Sequence, residues 1–276
     1  MNYIGGKYKL LPQIHPLFPD KINNFVDLFA GGCDVCANIK ANNIYANDIN
    51  KYIIEIYKEF QSNSIDDILS YIESTIAKFN LSSTNQEGYL SFREYYNKSK
   101  DRPPLDLFIL LCFAFNYQCR FNNKHDFNSP FGKERSSFNN TIRSNLIKFH
   151  NNIKNVVFSS VSFREFDFSV LQKNDFVYAD PPYSITTGSY NDGKRGFDGW
   201  SSQNDIELLS LLDELNKKGI KFALSNVIEH KNLKNQILID WMQKYNIHYL
   251  NFNYKNSSYH GKNTDKETIE VLITNY

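Results

Sequence analysis

The chain has 276 residues, 41% of them hydrophobic, which suffices for one large domain or for a domain with a substantial insert. Glycine and proline are modest, aromatics reach 15% and charged residues 22%, which excludes collagen-like, coiled-coil and strongly disordered compositions. The longest apolar run, residues 107–115, is far shorter than the roughly 20 residues of a membrane-spanning helix, so no transmembrane segment is expected. Four cysteines without a pairing pattern, and a start without a signal peptide, predict a reducing, cytoplasmic setting.

The net charge of +1 hides an uneven distribution along the chain. Between residues 93 and 154, eleven Lys or Arg outnumber five Asp or Glu, so this segment carries +6 and the remainder carries −5. The same segment is rich in Tyr and Phe. Because cations bind phosphates and aromatic faces support bases, the pattern indicates a nucleic-acid face, with a solvated basic surface over an aromatic core as the alternative.

The N-terminal pattern predicts a βαβ unit. A buried strand over 24–29 is followed by a tight turn at 30–32, a helix over 33–41 and a second strand over 44–48. Such units form parallel sheets with right-handed crossovers, so the fold class is α/β. A helical pattern over 51–79 and polar, basic helices and loops after residue 88 then indicate an insert.

Strand and helix signals alternate again in the C-terminal half. Strands are predicted over 156–158, 175–179, 221–225 and 269–273, and helices over 204–217 and 233–245. Segments 188–200 and 256–265 have few apolar anchors and are predicted to be mobile loops near a site. The sheet is therefore expected to draw strands from both ends of the chain.

The turn after the first strand is the first candidate site. Glycine there lets a ligand approach the backbone, and Asp48 at the end of the next strand can accept both hydroxyls of a ribose. The third glycine of the dinucleotide fingerprint is missing, and Asp34 would repel a pyrophosphate. The pattern favours a nucleoside cofactor without phosphate, such as S-adenosylmethionine, over the alternative of a plain strand-to-helix turn.

The second candidate site is Asp180-Pro181-Pro182-Tyr183, at the carboxyl end of the strand over 175–179. Two prolines stiffen the turn and remove two backbone donors, which leaves the Asp180 carboxylate and prolyl carbonyls as acceptors. A planar exocyclic amine presents two donors to such a corner, and its ring can stack on Tyr183. Hydrogen bonds to both N–H groups would localise the amine's lone pair for attack on a methyl group. A rigid Pro-Pro turn with a capping aspartate is the alternative.

Five segments, 3–7, 25–32, 46–48, 119–132 and 180–183, together resemble DNA adenine methyltransferases of the Dam type, in the permuted alpha group of amino methyltransferases. The resemblance covers nearly the whole chain and includes the order of the motifs. It implies a Rossmann-like methyltransferase sheet, mostly parallel with an antiparallel strand near the C-terminus, plus a mainly helical inserted subdomain. Residues 1–60 and 156–276 would form the S-adenosylmethionine-binding catalytic domain, and residues 61–155 the DNA target-recognition subdomain.

The resemblance also implies roles for individual residues in cofactor binding. Lys7 would pair with the methionine carboxylate, and Ser162-Phe163 would contact the adenine ring. The family more often has Trp at position 3 and Asp at position 162. The implied cofactor-binding residues are Tyr3, Gly5, Gly6, Lys7, Asp27, Phe29, Ala30, Gly31, Gly32, Asp48, Ser162, Phe163 and Asp180.

The implied catalytic residues are the four of the second site. Asp180 and the Pro181 carbonyl would hold the target amino group, Pro182 would stiffen the corner and Tyr183 would stack on an adenine extruded from the duplex. Transfer would be a direct displacement, in which Asp180 acts by orientation and electrostatics and no side-chain nucleophile is needed.

The insert would read a short duplex site, as in readers of palindromes such as GATC. Arg120 can contact guanine through two hydrogen bonds, and asparagines can contact adenine edges; a surface ion pair is the alternative for Arg120. Expected partners are double-stranded DNA and a cognate restriction endonuclease, for a monomer of bacterial or phage origin. The implied DNA-binding residues are Arg120, Asn122, Lys124, Asn128, Pro130, Lys133 and Arg135.

Other functions are disfavoured by specific features. Cys33 and Cys36 lack a second pair and the six histidines lack a metalloprotease spacing, so no metal site is expected. An RNA or protein-amide methyltransferase keeps the chemistry with another substrate. A nicotinamide-dependent oxidoreductase lacks its third glycine, and the intact Asp48 and Asp180 argue against a catalytically dead DNA-binding module.

Overall fold

A computed structural model describes residues 6–186, 199–251 and 268–276, and within these ranges eight strands form one sheet. None of the helices in this part of the chain is long and apolar enough to cross a membrane. The strands are β1 Asn24–Asp27, β2 Asn43–Asn47, β3 Val156–Ser159, β4 Phe176–Ala179, β5 Lys221–His230, β6 Leu233–Lys234, β7 Asn246–Leu250 and β8 Thr268–Thr274.

Most of the longer helices begin where a side chain satisfies the free amides of the first turn. Asn50, Ser64, Asn85 and Asn139 each accept a hydrogen bond from the backbone of the helix that follows. The helices are α1 Leu11–Ile14, α2 Lys51–Ser62, α3 Ile65–Phe79, α4 Gln86–Lys98, α5 Pro104–Phe113, α6 Asn140–Asn152, α7 Ser202–Lys217 and α8 Gln236–Trp241.

The strands lie in the order β3-β2-β1-β4-β5-β8-β7, with β6 paired to the end of β5. Strands β1 to β5 run parallel, whereas β8 is antiparallel to both β5 and β7. The predicted α/β fold, mostly parallel with an antiparallel strand near the C-terminus, is confirmed. Because β1 and β4 are neighbours, with Val26 opposite Val177, the segments that follow them leave the same edge of the sheet.

Alternate residues of the central strands bury opposite faces of the sheet, as the two-residue period of a strand requires. Phe25 and Phe176 pack with the N-terminal segment and with helices α2 to α6. Val26 and Val177 pack with α7 and α8. The helices between β2 and β3 therefore share one hydrophobic core with a face of the sheet, which fixes their position relative to the strand ends.

The predicted helix over 33–41 is wrong. Gly31 and Cys33 both have left-handed backbone conformations, with φ of 46° and 60°, which a right-handed helix cannot contain. Residues 34–38 form turns instead, and the Asp27 carboxylate accepts the Cys36 amide at 3.1 Å. The side chains of Cys33 and Cys36 lie next to each other in this turn.

Three other predicted boundaries differ from the structure. The helix predicted over 51–79 is interrupted between α2 and α3, where Asn63 is extended and Ser64 begins a new helix. The strand predicted over 221–225 continues to His230, and the helix predicted over 233–245 contains the short β6 and α8. Strand β7 was not predicted. The predicted loops fall largely on segments 187–198 and 252–267, which lie outside the described residues.

A buried carboxylate at the amino ends of β1 and β4 gives a test of this architecture. Asp175, only 3% exposed, accepts hydrogen bonds from the Asn24 amide, the Asn24 side chain and the Gln172 amide. Asp175→Ala leaves these donors without their acceptor, so we expect the free energy of unfolding to fall by about 1–3 kcal/mol in urea denaturation. The exposed Asp20→Ala is the control and should change it by no more than about 0.5 kcal/mol. Equal stability of both variants would contradict this role.

Candidate active site

The segment after β4 forms a corner with a buried cluster of charged and hydroxyl groups. The Lys7 ammonium lies 3.1 Å from Asp180 Oδ1 and 3.3 Å from Glu270 Oε1. It donates to the Tyr183 hydroxyl at 2.6 Å, and that hydroxyl in turn donates to Asp180 Oδ1 at 2.8 Å. Lys7 also lies 5.0 Å from the centre of the Tyr183 ring. The first and last residues of the predicted catalytic motif therefore meet in one hydrogen-bonded cluster.

The cluster contains two carboxylates and one ammonium ion away from water. Burial disfavours the charge on Lys7, but attraction to Asp180 and Glu270 outweighs it and holds the pKa of Lys7 above its usual range. Burial raises the pKa of Asp180 to about 6, although Lys7 acts to lower it. Burial likewise raises the pKa of the Tyr183 hydroxyl well above its usual value. At neutral pH Asp180 is ionised and Tyr183 is protonated.

Glu270 is a member of this cluster that the sequence analysis missed. It lies on β8 and is 1% exposed, with its Oε1 atom 3.2 Å from the Tyr183 hydroxyl and 3.4 Å from Ser225 Oγ. The available signal was a lone acidic residue inside the apolar run of residues 269–273, since a buried charge needs a partner.

The glycine turn after β1 is held by Asp48. Asp48 Oδ2 accepts the Gly31 amide at 2.8 Å, and its Oδ1 accepts the Asn50 amide at 2.8 Å. The Tyr57 hydroxyl donates to the Gly31 carbonyl at 2.6 Å. Burial raises the pKa of Asp48, and both amides act against that rise. Both the amide and the carbonyl of Gly31 are thus held by side chains, the amide by Asp48 and the carbonyl by Tyr57.

Asp27 lies at the end of β1, directly before this turn. Its Oδ1 atom is buried and has no hydrogen-bond partner among the described residues, while Oδ2 accepts the Cys36 amide. Burial raises the pKa of Asp27 well above its usual value. This unsatisfied oxygen beside the glycine turn can accept a hydrogen bond from a ligand, or the carboxyl group can be protonated.

Asn47, 1% exposed, connects the loops after β1 and β3. Its side-chain nitrogen donates to the carbonyls of Leu28 and Val161 at 3.3 and 3.0 Å. Its side-chain oxygen accepts from the Val161 amide and the Ser159 hydroxyl at 3.1 and 2.9 Å. The amide group thereby aligns Phe29 with Ser162 and Phe163, the residues that follow these contacts.

Phe29 and Phe163 form an aromatic wall with Trp200, which the sequence placed in a mobile loop and did not assign to the site. The three ring centres lie 5.5–5.6 Å apart. The Trp200 ring nitrogen donates to Asp205 Oδ1 at 2.6 Å, which anchors the ring to α7. Ser162, by contrast, accepts the Arg164 amide at 3.4 Å within its own turn, so its hydroxyl is used locally.

A buried polar path links this wall to the corner after β4. Asp205 Oδ2 accepts from the Asn235 side chain at 3.3 Å, and Asn235 also lies 3.3 Å from the hydroxyl of Ser184, which directly follows Tyr183. Asp205 and Asn235 are 4% and 5% exposed. The aromatic wall and the corner after β4 therefore share a support.

Arg120, Asn122 and Asn128 lie on a β-hairpin between α5 and α6. Asn128 donates its amide to the Arg120 carbonyl, and Asn122 donates its amide to the Asp126 carbonyl, both at 2.9 Å. Phe121 and Phe127 pair across the hairpin and are 2% and 1% exposed. Side chains alternate along a strand, and Arg120 and Asn128 are exposed opposite these phenylalanines, whereas Asn122 is half-buried at the tip.

The other predicted DNA-binding residues are exposed, and the first cofactor residues are at the start of the chain. Lys124, Pro130, Lys133 and Arg135 are exposed on or beside the hairpin, as are the side chains of Arg120 and Asn128. The Asn122 side chain accepts the amides at 124 and 126, so its oxygen closes the hairpin tip. Gly6 is exposed, while Tyr3 and Gly5 lie outside the described residues.

A family model for the D12 class of N6 adenine-specific DNA methyltransferases matches residues 3–256. The chain is 52% identical over 278 residues to the type II methyltransferase M.FokI of Planomicrobium okeanokoites. It is 50% identical over 280 residues to the modification methylase StsI of Streptococcus sanguinis. Each alignment covers all of this chain and 42% of the relative, so the chain spans about two fifths of the length of these relatives.

The DNA adenine methylase of Escherichia coli strain K12 is 26% identical over 276 residues, which is 99% of this chain and 93% of that protein. The chain belongs to the D12 class of N6 adenine-specific DNA methyltransferases. The predicted resemblance to Dam-type enzymes is confirmed by these matches.

The electrostatics of the corner can be tested by titration. We expect the Asp180 carboxyl to titrate near pH 6 in the free protein. The measurement is a pH titration by ¹³C NMR of protein labelled at its aspartates, in which the Asp180 signal is the one missing from the spectrum of Asp180→Asn. Lys7→Met removes a positive charge that favours the ionised form, so the Asp180 midpoint should move to higher pH. A midpoint near 4 in the parent protein, or a downward shift in the variant, would contradict the arrangement.

Proposed function

We propose that this chain is a site-specific DNA methyltransferase that transfers a methyl group from S-adenosylmethionine to the exocyclic amino group of adenine. The observation that carries the proposal is the placement of the acidic corner after β4 beside the glycine turn after β1. The two strands are neighbours in the sheet, and both segments leave its carboxyl edge. An acceptor for an amino group and a turn suited to a nucleoside therefore stand side by side.

The residues at the turn fit S-adenosylmethionine. Asp48 uses one lone pair of each oxygen on backbone amides and keeps others for ribose hydroxyls. The unsatisfied Asp27 oxygen can accept from the cofactor's amino group, and the wall of Phe29, Phe163 and Trp200 offers flat surfaces to its adenine. When bound, this cofactor supplies an electrophilic methyl group on a sulfonium.

The corner supplies orientation and electrostatics for the transfer. The Asp180 carboxylate would accept one N–H of the target amine and the Pro181 carbonyl the other, which localises the nitrogen lone pair for direct displacement. Tyr183 would provide the stacking surface, with its hydroxyl held by the Asp180 and Glu270 carboxylates. No side-chain nucleophile is required.

The hairpin and the basic segment 93–154 that contains it would bind the DNA. Residues 61–155 form the proposed recognition subdomain, and residues 1–60 and 156–276 the catalytic domain. A two-stranded ribbon fits the major groove. The exposed side chains of Arg120 and Asn128, with the side-chain nitrogen of Asn122, would offer donors and acceptors for base edges. Exposed Lys124, Lys133 and Arg135 would neutralise phosphates.

The names of the relatives suggest a biological setting. M.FokI is a type II methyltransferase and StsI a modification methylase. We place this chain in a restriction-modification system, acting as a monomer on double-stranded DNA in the cytoplasm of a bacterium or a phage-infected cell. Its partner would be an endonuclease that cuts the same, unmodified site.

The central test is methyl transfer to nucleic acid. Incubation with radiolabelled S-adenosylmethionine should label duplex DNA at N6 of adenine within one short site, and Asp180→Ala should lower the rate by at least about 100-fold because the amine loses its anionic acceptor. Mapping of modified bases in the product identifies the site.

The exposed Asp20→Ala serves as the control and should keep the parental rate. Labelling of RNA but not DNA would refute the proposed substrate. Parental activity of folded Asp180→Ala, with an unchanged circular dichroism spectrum, would refute the assigned corner.

Base recognition by the hairpin can be separated from phosphate binding. Arg120→Ala should cost about 1–3 kcal/mol in kcat/KM at one base pair and relax discrimination there, measured on duplexes that each differ at one position. Lys133→Ala should instead weaken all duplexes alike and reduce the salt dependence of binding. A uniform loss for Arg120→Ala would mean that this residue contacts phosphate.

A further inference from the structure

One face of α4 pairs with the backbone of the hairpin's second strand. Asn97 accepts the Phe127 amide at 2.8 Å and donates to the Phe127 carbonyl at 3.0 Å. One helical turn back, Arg93 donates to the Ser129 carbonyl at 3.1 Å, and Tyr89 donates to the same carbonyl at 2.8 Å. Tyr89, Arg93 and Asn97 are spaced by four residues, so they form a stripe along one side of the helix.

These contacts supply hydrogen-bond partners to backbone groups that are not paired within the hairpin. Phe127 pairs with Phe121 at a position where neither residue exchanges backbone hydrogen bonds, so the Phe127 amide and carbonyl point outward. Phe127 and Ser129 are 1% and 0% exposed. Buried backbone groups need partners, and α4 provides them in place of a third strand.

The tip of the hairpin is fastened by a second cation. Arg102 donates to Asp126 Oδ1 at 2.8 Å and also to the His125 carbonyl. It donates further to the Asn97 carbonyl at 3.1 Å, which joins the tip to the end of the α4 stripe.

The register of the hairpin decides which side chains face outward. A slip of one residue would turn Arg120 and Asn128 toward the core and the phenylalanines toward solvent. Phe121 is also held from the other side, where it stacks on Tyr52 with the ring centres 4.3 Å apart. Side-chain packing from α2 and backbone pairing from α4 together select one register.

We propose that Asn97, assisted by Tyr89, Arg93 and Arg102, is a positioning residue for DNA sequence recognition: it fixes the register that presents Arg120 and Asn128 to the bases. This inference rests on the proposed function, because it assigns a role in reading the methylated site. Asn97 itself contacts the hairpin backbone through both ends of its amide and reads no base.

The experiment compares discrimination with catalysis. Asn97→Leu removes both hydrogen bonds at similar volume, and Asn97→Asp keeps the acceptor but loses the donor. For Asn97→Leu we expect the ratio of kcat/KM between the preferred duplex and single-base variants to fall about tenfold, the scale of one base contact. Asn97→Asp should fall between Asn97→Leu and the parent. The kcat at saturating DNA and the affinity for S-adenosylmethionine should stay at parental values.

Asn139→Ala is the matched control, because it removes a side-chain hydrogen bond at the start of α6 in the same helical block without touching the hairpin. It should lower the melting temperature while the discrimination ratio stays parental. Tyr89→Phe removes one hydroxyl without changing shape and tests the stripe if Asn97→Leu does not fold.

The outcomes separate this inference from the proposed function. Parental discrimination in Asn97→Leu or, where that variant does not fold, in both Asn97→Asp and Tyr89→Phe, overturns the inference while leaving the methyltransferase assignment intact. A loss shared equally by all duplexes, or matched by Asn139→Ala, also overturns it, because stability alone would then explain the effect. Failure of the parent protein to methylate DNA refutes the proposed function itself.

Discussion

The buried ion cluster of Lys7, Asp180 and Glu270 is the interaction on which the candidate site depends. Charges taken out of water are costly unless they are paired, and here one ammonium is shared by two carboxylates. The three residues come from the N-terminal segment, the end of β4 and β8, so the corner exists only when these parts are docked together. The two carboxyl groups together offer more acceptor sites than the single Lys7 ammonium can fill. The corner is therefore suited to a ligand that brings hydrogen-bond donors.

The parallel sheet supplies the geometry that this cluster exploits. The glycine turn and the acidic corner leave adjacent strands, and Asn47 fastens the loop after β1 to the loop after β3 through four hydrogen bonds. The buried Asn47 side chain at the end of β2 and the packing of Phe29 on Phe163 both hold these loops. A rigid frame of this kind orients reacting groups without a cost at the moment of transfer.

Sequence patterns predicted the parts of this molecule whose determinants are local. Buried runs marked β1 and β4, a Pro-Pro corner marked the end of β4, and the charged, aromatic middle block marked the region of the hairpin. The helix over 33–41 was predicted wrongly because the spacing of apolar residues there is helical, while Gly31 and Cys33 adopt left-handed conformations that spacing does not report. The boundary between α2 and α3 was not predicted because it depends on Ser64, which caps the start of α3.

Residues whose roles arise from distant contacts could not be predicted in this way. Glu270 contacts Lys7 although most of the sequence separates them, and Trp200 contacts Phe29 although the insert lies between them in sequence. The role of Asn97 is further removed, because its partner is a backbone segment rather than a side chain with its own chemical signature. Only the tertiary arrangement brings these residues to the segments that the motifs identify.

Helix α2 physically joins the two sites. Asn50 caps its first turn, and the Asn50 amide donates to Asp48, the residue proposed to hold the ribose. Its Tyr57 holds the Gly31 carbonyl, while its Tyr52 stacks on Phe121 of the hairpin. Contacts from one helix therefore help to hold both the glycine turn and the hairpin in place. The segments proposed to read bases and to bind the cofactor thus rest on the same helix.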